Sequence, residues 1–247
     1  MIKLLFCLRL LNRAFKYKFV SDKNEIDYLF EKINPGDTVI DIGAHKGGYL
    51  FWLSRAAGSA GKVIAFEPQS LLYNYLISVV SYFSSRNVEV HNLGVSSFDN
   101  TLKLFVPKGP GQTSPGATFE NKEDSEEGYH VSVPVVSLDN FLKDRPNRIA
   151  FLKIDVEGHE LSVFQGAVDL LTKDKPTIMF ESENRHLGKS NVTEVFQFLK
   201  NLGYNGYFFH DSKKLPIDHF NPDKHQRTLN GEIAEKNNYI NNFFFEP

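Results

Sequence analysis

The chain has 247 residues, 41% of them apolar and 13% aromatic, with a formal charge of −2. That size and composition fit one globular domain with a large core, or one domain carrying an insertion. The near-neutral charge gives no reason to expect a nucleic-acid partner. The single cysteine, Cys7, excludes an internal disulfide and any zinc cluster built on cysteines.

Residues 1–20 carry Lys3, Arg9, Arg13, Lys16 and Lys18 with no acid, mixed with Leu4, Leu5, Phe6, Leu8, Leu10, Leu11 and Phe15. Arg9 breaks the apolar run, which is far too short to span a bilayer, and no small-residue cleavage site follows. The segment reads in two ways: a helix packing its leucines on the domain, or a basic amphipathic helix in weak association with an anionic membrane surface. A cytoplasmic protein, peripheral to the inner face of the membrane in the second reading, is the expectation. Ile26, Leu29, Phe30 and Ile33 keep helical spacing, and Asn34-Pro35-Gly36-Asp37 ends that helix, so residues 1–35 are expected to be an N-terminal helical segment.

The β-branched run Val39, Ile40 and Ile42 predicts a buried strand, stopped by Gly43 and followed by a helical pattern at Tyr49, Leu50, Trp52 and Leu53. Gly43 and Gly47 let a ligand approach the backbone where a Cβ would collide. A second run, Lys62-Val63-Ile64-Ala65-Phe66, ends in Glu67, whose carboxylate can accept from both hydroxyls of a ribose. The spacing is D-x-G-x-x-x-G rather than the G-x-G-x-x-G of a dinucleotide site. Asp41 would repel a pyrophosphate and favour a cationic ligand such as S-adenosylmethionine, although any tight strand-to-helix turn can show such glycines.

Leu71 to Phe83 predicts a helix and Val88-Glu89-Val90-His91 a short strand leading to Asn92-Leu93-Gly94-Val95-Ser96. Alternation at residues 101–106 and 131–136 predicts a pair of half-exposed strands. The stretch 107–130 between them, rich in Gly, Pro, Ser and acids, is expected to be a flexible insertion loop, with 120–127 either a solvated face or part of a cover over the site. Ile149 to Asp155 is a second buried strand ending in an acid, and Leu161, Phe164, Val168 and Leu171 predict one helix after it. Pro176 to Glu181 is a further strand, Val192 to Leu202 a helix, and Tyr204 to Phe209 and Tyr239 to Phe245 closing strands. The alternation of strand and helix implies a parallel sheet covered on both faces.

Four of these strands end in an acid, at Asp41, Glu67, Asp155 and Glu181, at the strand ends where open α/β sheets bind ligands. The segment Asp155-Val156-Glu157-Gly158-His159-Glu160 is the densest. Asp155, His159 and Glu181 are the candidates for proton transfer. The D-x-E-x-H spacing is not a metal signature, and no metal is expected.

These residues resemble the FkbM family of S-adenosylmethionine-dependent methyltransferases. The motifs are residues 37–47 and 63–68, then Asn92-Leu93-Gly94-Val95-Ser96, Val136-Ser137-Leu138-Asp139 and, most specifically, Phe151 to Glu160; together they cover roughly residues 36 to 205. His45 stands where the family pattern has asparagine. The resemblance implies an α/β class I methyltransferase fold, Rossmann-like, with a seven-stranded mostly parallel sheet, helices on both faces, an inserted hairpin and an antiparallel last strand; the domain would span 36–247. It implies that Asp41, Gly43 and Ala44, with Gly47 in the same turn, hold the methionine and ribose part of the cofactor. Glu67 would bind the ribose hydroxyls, Asn92 and Leu93 would lie at the adenine end, and Asp155 beside the methyl group. Family acceptors are sugars, polyketides and lipids, so a small-molecule or glycan hydroxyl is expected. A nicotinamide-dependent oxidoreductase and a non-catalytic cofactor-binding module are the alternatives.

Overall fold

The computed structural model describes residues 2–83, 86–120, 127–186, 191–229, 232–234 and 238–247. Helix α1 (Ile2–Lys16) runs into a π-type turn (Tyr17–Ser21), and α2 (Lys23–Lys32) follows. Strand β1 (Thr38–Ile42), α3 (Gly48–Ala57), β2 (Lys62–Phe66), α4 (Ser70–Phe83) and β3 (Val88–His91) then alternate. Short β4 (Gly94–Val95) and the antiparallel hairpin of β5 (Asn100–Val106) and β6 (Tyr129–Val136) form a separate small sheet. Alternation resumes with α5 (Leu138–Leu142), β7 (Ile149–Ile154), α6 (Glu160–Gln165), α7 (Val168–Lys173), β8 (Thr177–Glu181), α8 (Val192–Asn201) and β9 (Asn205–His210). The chain closes with β10 (Lys213–Pro216), α9 (Pro222–His225), the two-residue strands β11 (Thr228–Leu229) and β12 (Glu232–Ile233), and β13 (Asn242–Glu246).

The main sheet has the order β10-β9-β13-β8-β7-β1-β2-β3. Neighbours from β8 through β3 pair in parallel, while β13 inserts antiparallel between β8 and β9. The seven strands implied by the family resemblance are present, and β10 adds an eighth as a hairpin partner of β9. Side chains alternate across this sheet. Ile40, Ile42, Ile64, Phe66, Leu152, Ile154, Ile178 and Phe180 pack on one face with residues of α6, α7 and α8. Val39, Val63, Ala65, Phe151, Met179 and Phe244 pack on the other, with residues of α1 to α4. Burial on both faces is why these strands read as continuous apolar runs.

The helix expected over 161–171 is broken into α6 and α7 at Gly166 and Ala167. A Cβ at Gly166 would lie 2.1 Å from the Ser96 carbonyl oxygen, so the helix end is wedged against the small sheet. The Asp139 carboxylate then accepts from the Asp169 and Leu170 amides at 2.9 Å each and restarts the helix.

The N-terminal segment shares a core with the rest of the chain. Cys7, Leu10 and Ala14 are buried, the Trp52 indole donates to the Ala14 carbonyl at 2.8 Å, and the Tyr75 hydroxyl donates to the Phe6 carbonyl at 3.2 Å. Of the insertion, residues 121–126 lie outside the described residues. The first part is latched: Phe105 and Thr118 exchange backbone hydrogen bonds, and the Gln69 side chain joins the Ser114 carbonyl at 2.9 Å and its amide at 3.0 Å.

Candidate active site

Register carries the strand-end acids to one edge. Ile42 pairs with Phe66 and Ile154, Phe66 with His91, and Ile154 with Phe180. The next residues, Asn92, Glu67, Gly43, Asp155 and Glu181, therefore stand level across five parallel strands. The chain leaves β1 in one direction for β2 and returns on the other side with β7, which makes this edge the switch point where α/β sheets hold ligands.

At the centre, the amides of Gly43 and Ala44 donate to the Phe66 carbonyl at 3.0 and 3.1 Å. Gly43 has φ +79°, and a Cβ there would lie 1.9 Å from the Asp155 carbonyl oxygen. Gly43→Ala is expected to destabilise the fold by on the order of 3 kcal/mol and to raise the floor of the site, read as a lower urea midpoint. The Glu67 carboxylate is fixed by two amides, from His45 at 2.7 Å and from Gln69 at 2.8 Å. Burial pushes its pKa up to about 7 against those hydrogen bonds. Below the turn, Asp41 is fully buried, neither of its carboxylate oxygens has a hydrogen-bond partner, and burial lifts its pKa to about 6.

Two hollows meet at Gly43, His45 and Asp155. The narrower, about 70 Å³, runs along Glu67, Pro68 and Gln69 and is roofed by Leu104, Pro115, Ala117 and Phe119. The wider, about 400 Å³, has Ala44, Lys153, Asp155 and Glu181 on the sheet side, and Arg13, Tyr17, Asp22 and Tyr49 among its outer wall. Lys153 donates to Asp155 Oδ2 at 3.2 Å and lies 5.1 Å over the Tyr49 ring. Burial alone would push its ammonium down, but Asp155, Asp41 and Glu181 outweigh burial and hold it above the ordinary range. Glu181 goes the other way: burial, then the charges of Asp155 and Glu157, raise its carboxyl well above normal. Asn241 donates to Glu181 Oε1 at 2.6 Å.

Lys153 is thus the cation that lets several acids share one edge. Lys153→Met is expected to lower stability by about 3 kcal/mol at pH 8, because it strands buried carboxylates. The loss should shrink at pH 5, where Asp41 is protonated. Urea unfolding at both pH values checks this.

Other expected site residues are placed differently. Gly47, at φ +76°, faces Leu76 and Leu10 and serves the packing of α3 rather than either hollow. Asn92 donates from Nδ2 to the Glu67 and Pro68 carbonyls at 2.9 and 3.1 Å, bracing the turn after β2. Leu93 packs against the core. His159 is buried and lines neither hollow: Nε2 is 2.9 Å from the Ser96 hydroxyl and Nδ1 is 2.9 Å from Glu120 Oε1. It ties the inserted segment to the start of α6. Glu160, at the start of α6, is fully buried, accepts from Gly158 N and Ser182 Oγ at 3.0 Å each, and has its pKa pushed up to about 7 by burial.

Lys153, His45 and Tyr49 line the wide cavity, and the strand-end argument missed them. A lone cation inside the apolar run 149–154 was the available signal, since a buried ammonium needs carboxylate partners. His45, at φ +49°, lines both hollows, and burial holds its imidazole down at about 4, so it is neutral at physiological pH. Among the described residues no three His, Cys, Asp or Glu side chains are arranged to hold a metal ion.

The arrangement suits a ligand that pairs hydroxyls with Glu67 and sets positive charge over Gly43 and Ala44. Known proteins agree on the architecture. Residues 41–205 match the model of the methyltransferase FkbM domain. Methyltransferase 1 of Beauveria bassiana is 27% identical over 151 residues, 55% of this chain and 60% of that protein. Methyltransferase sdnD of Sordaria araneosa is 29% identical over 154 residues, 52% of this chain and 59% of that protein. The match thus spans about 60% of the length of these curated relatives. Among solved structures, methyltransferase FkbM of Methylobacillus flagellatus superposes with a TM-score of 0.54 at 15% identity, over 97% of this chain and 54% of that one. The O-methyltransferase of Thermotoga maritima, described as SAM-dependent, superposes with a TM-score of 0.50 at 15% identity, over 96% of this chain and 70% of that one. With the class I methyltransferase sheet in place and two thirds of its residues inside the matched range, the chain belongs to the methyltransferase FkbM domain family.

Proposed function

We propose that the protein transfers a methyl group from S-adenosylmethionine to a hydroxyl oxygen of a sugar, glycolipid or secondary metabolite. One observation carries the reading: Glu67, Gly43, Asp155 and Glu181 stand level on one edge above a buried Asp41 whose oxygens lack hydrogen-bond partners. These residues fit the cofactor. Each Glu67 oxygen already takes one backbone amide, which fixes the carboxylate and leaves lone pairs for two ribose hydroxyls. Gly43 and Ala44 offer a floor without a protruding side chain, and the Asp41 charge favours a cation above it. When bound, S-adenosylmethionine supplies a methyl group already activated on a sulfonium.

The chain's own residues then position the acceptor and handle one proton. The wide cavity is walled by Arg13, Asp22, Lys153, Asp155 and Asn241, a polar lining that suits a polyhydroxyl acceptor. Asp155, the ion-pair partner of Lys153, accepts the proton of the acceptor hydroxyl. Burial and its acid neighbours favour the protonated form of Glu181, and in this reading that carboxyl donates a hydrogen bond, so two neighbouring carboxyls take opposite roles. The roof of Leu104, Pro115, Ala117 and Phe119 excludes water from the ribose side.

The test is incubation with S-adenosylmethionine carrying a labelled methyl group and fractionated sugars, glycolipids and small metabolites. Label recovered on an oxygen, and lost with Asp155→Asn, supports the reading. Label recovered only on nitrogen or carbon contradicts it.

A further inference from the structure

Helix α1 is apolar on two sides. Cys7, Leu10 and Ala14 turn inward, yet Leu5 and Leu8 are 47% and 55% exposed and Phe15 is 47% exposed. At ~100° per residue these three fall on one outward stripe. The π-type turn prolongs it: Phe19 is 63% exposed and Val20 75%, and the Phe15 and Phe19 rings stack with centroids 5.8 Å apart. Exposed Arg9 and Lys16 run beside the stripe, on the side of α1 that carries Arg13 and Tyr17 into the wide cavity. Residues 1–21 contain no acid, so nothing within this segment neutralises those cations.

We propose that this stripe seats the protein on an anionic lipid bilayer, with Leu5, Leu8, Phe15, Phe19 and Val20 entering the headgroup boundary and Arg9 and Lys16 on the lipid phosphates. The charge decides the occupant. An apolar ridge flanked by Arg9 and Lys16, with the first acid of the chain, Asp22, paired to the Tyr49 hydroxyl, matches a surface that is apolar below and anionic above. A second copy of the same ridge would bring like charges together. No helix of the described residues is long and apolar enough to cross a membrane, so the contact is with one leaflet. A shallow groove lined by Leu8, Arg9, Asn12, Lys16, Arg13 and Tyr17 follows α1, and the last two also line the wide cavity. A seated molecule therefore holds its cavity wall beside the headgroup layer.

Sedimentation of the full chain with vesicles tests this. Vesicles of phosphatidylcholine with about a third phosphatidylglycerol should bind at least ~10-fold more tightly than phosphatidylcholine alone, and added salt should reduce the difference. Leu8→Glu with Phe19→Glu should lower binding ~10-fold or more, and Arg9→Glu with Lys16→Glu by a similar factor. All four positions are exposed, and an unchanged urea midpoint shows that each variant is folded. Glycerol phosphate in solution should not compete, which separates a bilayer from a free phosphate site. Equal binding to both vesicle types, undiminished binding by the folded variants, or competition by glycerol phosphate would overturn the proposal. So would concentration-dependent self-association that Leu8→Glu abolishes.

Discussion

Asp155→Asn is expected to lower kcat by ~10²–10³, while Glu181→Gln leaves it within about threefold. The contrast follows from the two environments. Asp155 pairs with Lys153 at 3.2 Å and is the carboxylate assigned to receive the proton of the acceptor hydroxyl. Glu181 is held well above the carboxylate range by burial and by Asp155 and Glu157, which favours its protonated form. Glutamine keeps the shape of the protonated carboxyl and its capacity to donate. Alanine at 181 removes the donor and strands the Asn241 amide, and should cost more than glutamine does. Cofactor affinity should stay within about threefold for both Asp155→Asn and Glu181→Gln, because Glu67 and the Gly43 turn are untouched. A loss of affinity as large as the loss of kcat would make Asp155 a binding residue. Equal loss at both positions would exclude the division of roles.

Asp41→Asn should stabilise the ligand-free protein at pH 8 and weaken S-adenosylmethionine binding at least ~10-fold. The buried carboxyl is lifted from an ordinary 3.8 to about 6, burial being the largest cause, then the opposing effects of Lys153 and Asp155. At ~1.4 kcal/mol per pH unit, ionising it in the folded state costs about 3 kcal/mol. A folded value above the unfolded one means that the neutral group favours folding below pH about 3.8. That advantage is lost as pH rises through about 6. The variant should therefore be up to about 3 kcal/mol more stable than the parent at pH 8 and no more stable at pH 4, by urea unfolding. Glu67 and Glu160, each pushed up to about 7 by burial, shift the parent in the same direction. A variant less stable than the parent at pH 8 would show that the Asp41 charge is satisfied within the protein. A carboxylate kept at such a cost is what a cation site requires, and lost ligand affinity is the other half of the same measurement.

The strand-end acids were legible because each closes an apolar run, and parallel pairing needs little more than the run lengths to bring Glu67, Asp155 and Glu181 level. The eighth strand and the break at Gly166 were not. Both depend on contacts far apart in sequence, β10 on β9 and Gly166 on Ser96, which no local period encodes. Residue type also misleads where only the facing direction decides. Gly47 shares a turn with Gly43, yet its open side meets Leu76 and Leu10. His159 shares a segment with Asp155, yet the start of α6 turns it toward Ser96 and Glu120. The outer wall of the cavity, with Arg13, Tyr17 and Asp22, comes from the N-terminal helical segment, whose pattern gives no sign of a part in the site. Its inward face packs on the domain, and its outward stripe is the ground of the bilayer proposal.

The edge of Gly43 and Glu67 as a holder of S-adenosylmethionine is tested most directly by calorimetric titration of the full chain with that cofactor and, in parallel, with NAD. Saturable heat with S-adenosylmethionine, weakened at least ~10-fold by Glu67→Ala, and no heat with NAD are the predicted results. Heat with NAD alone, or S-adenosylmethionine binding that Glu67→Ala leaves unchanged, would contradict the account.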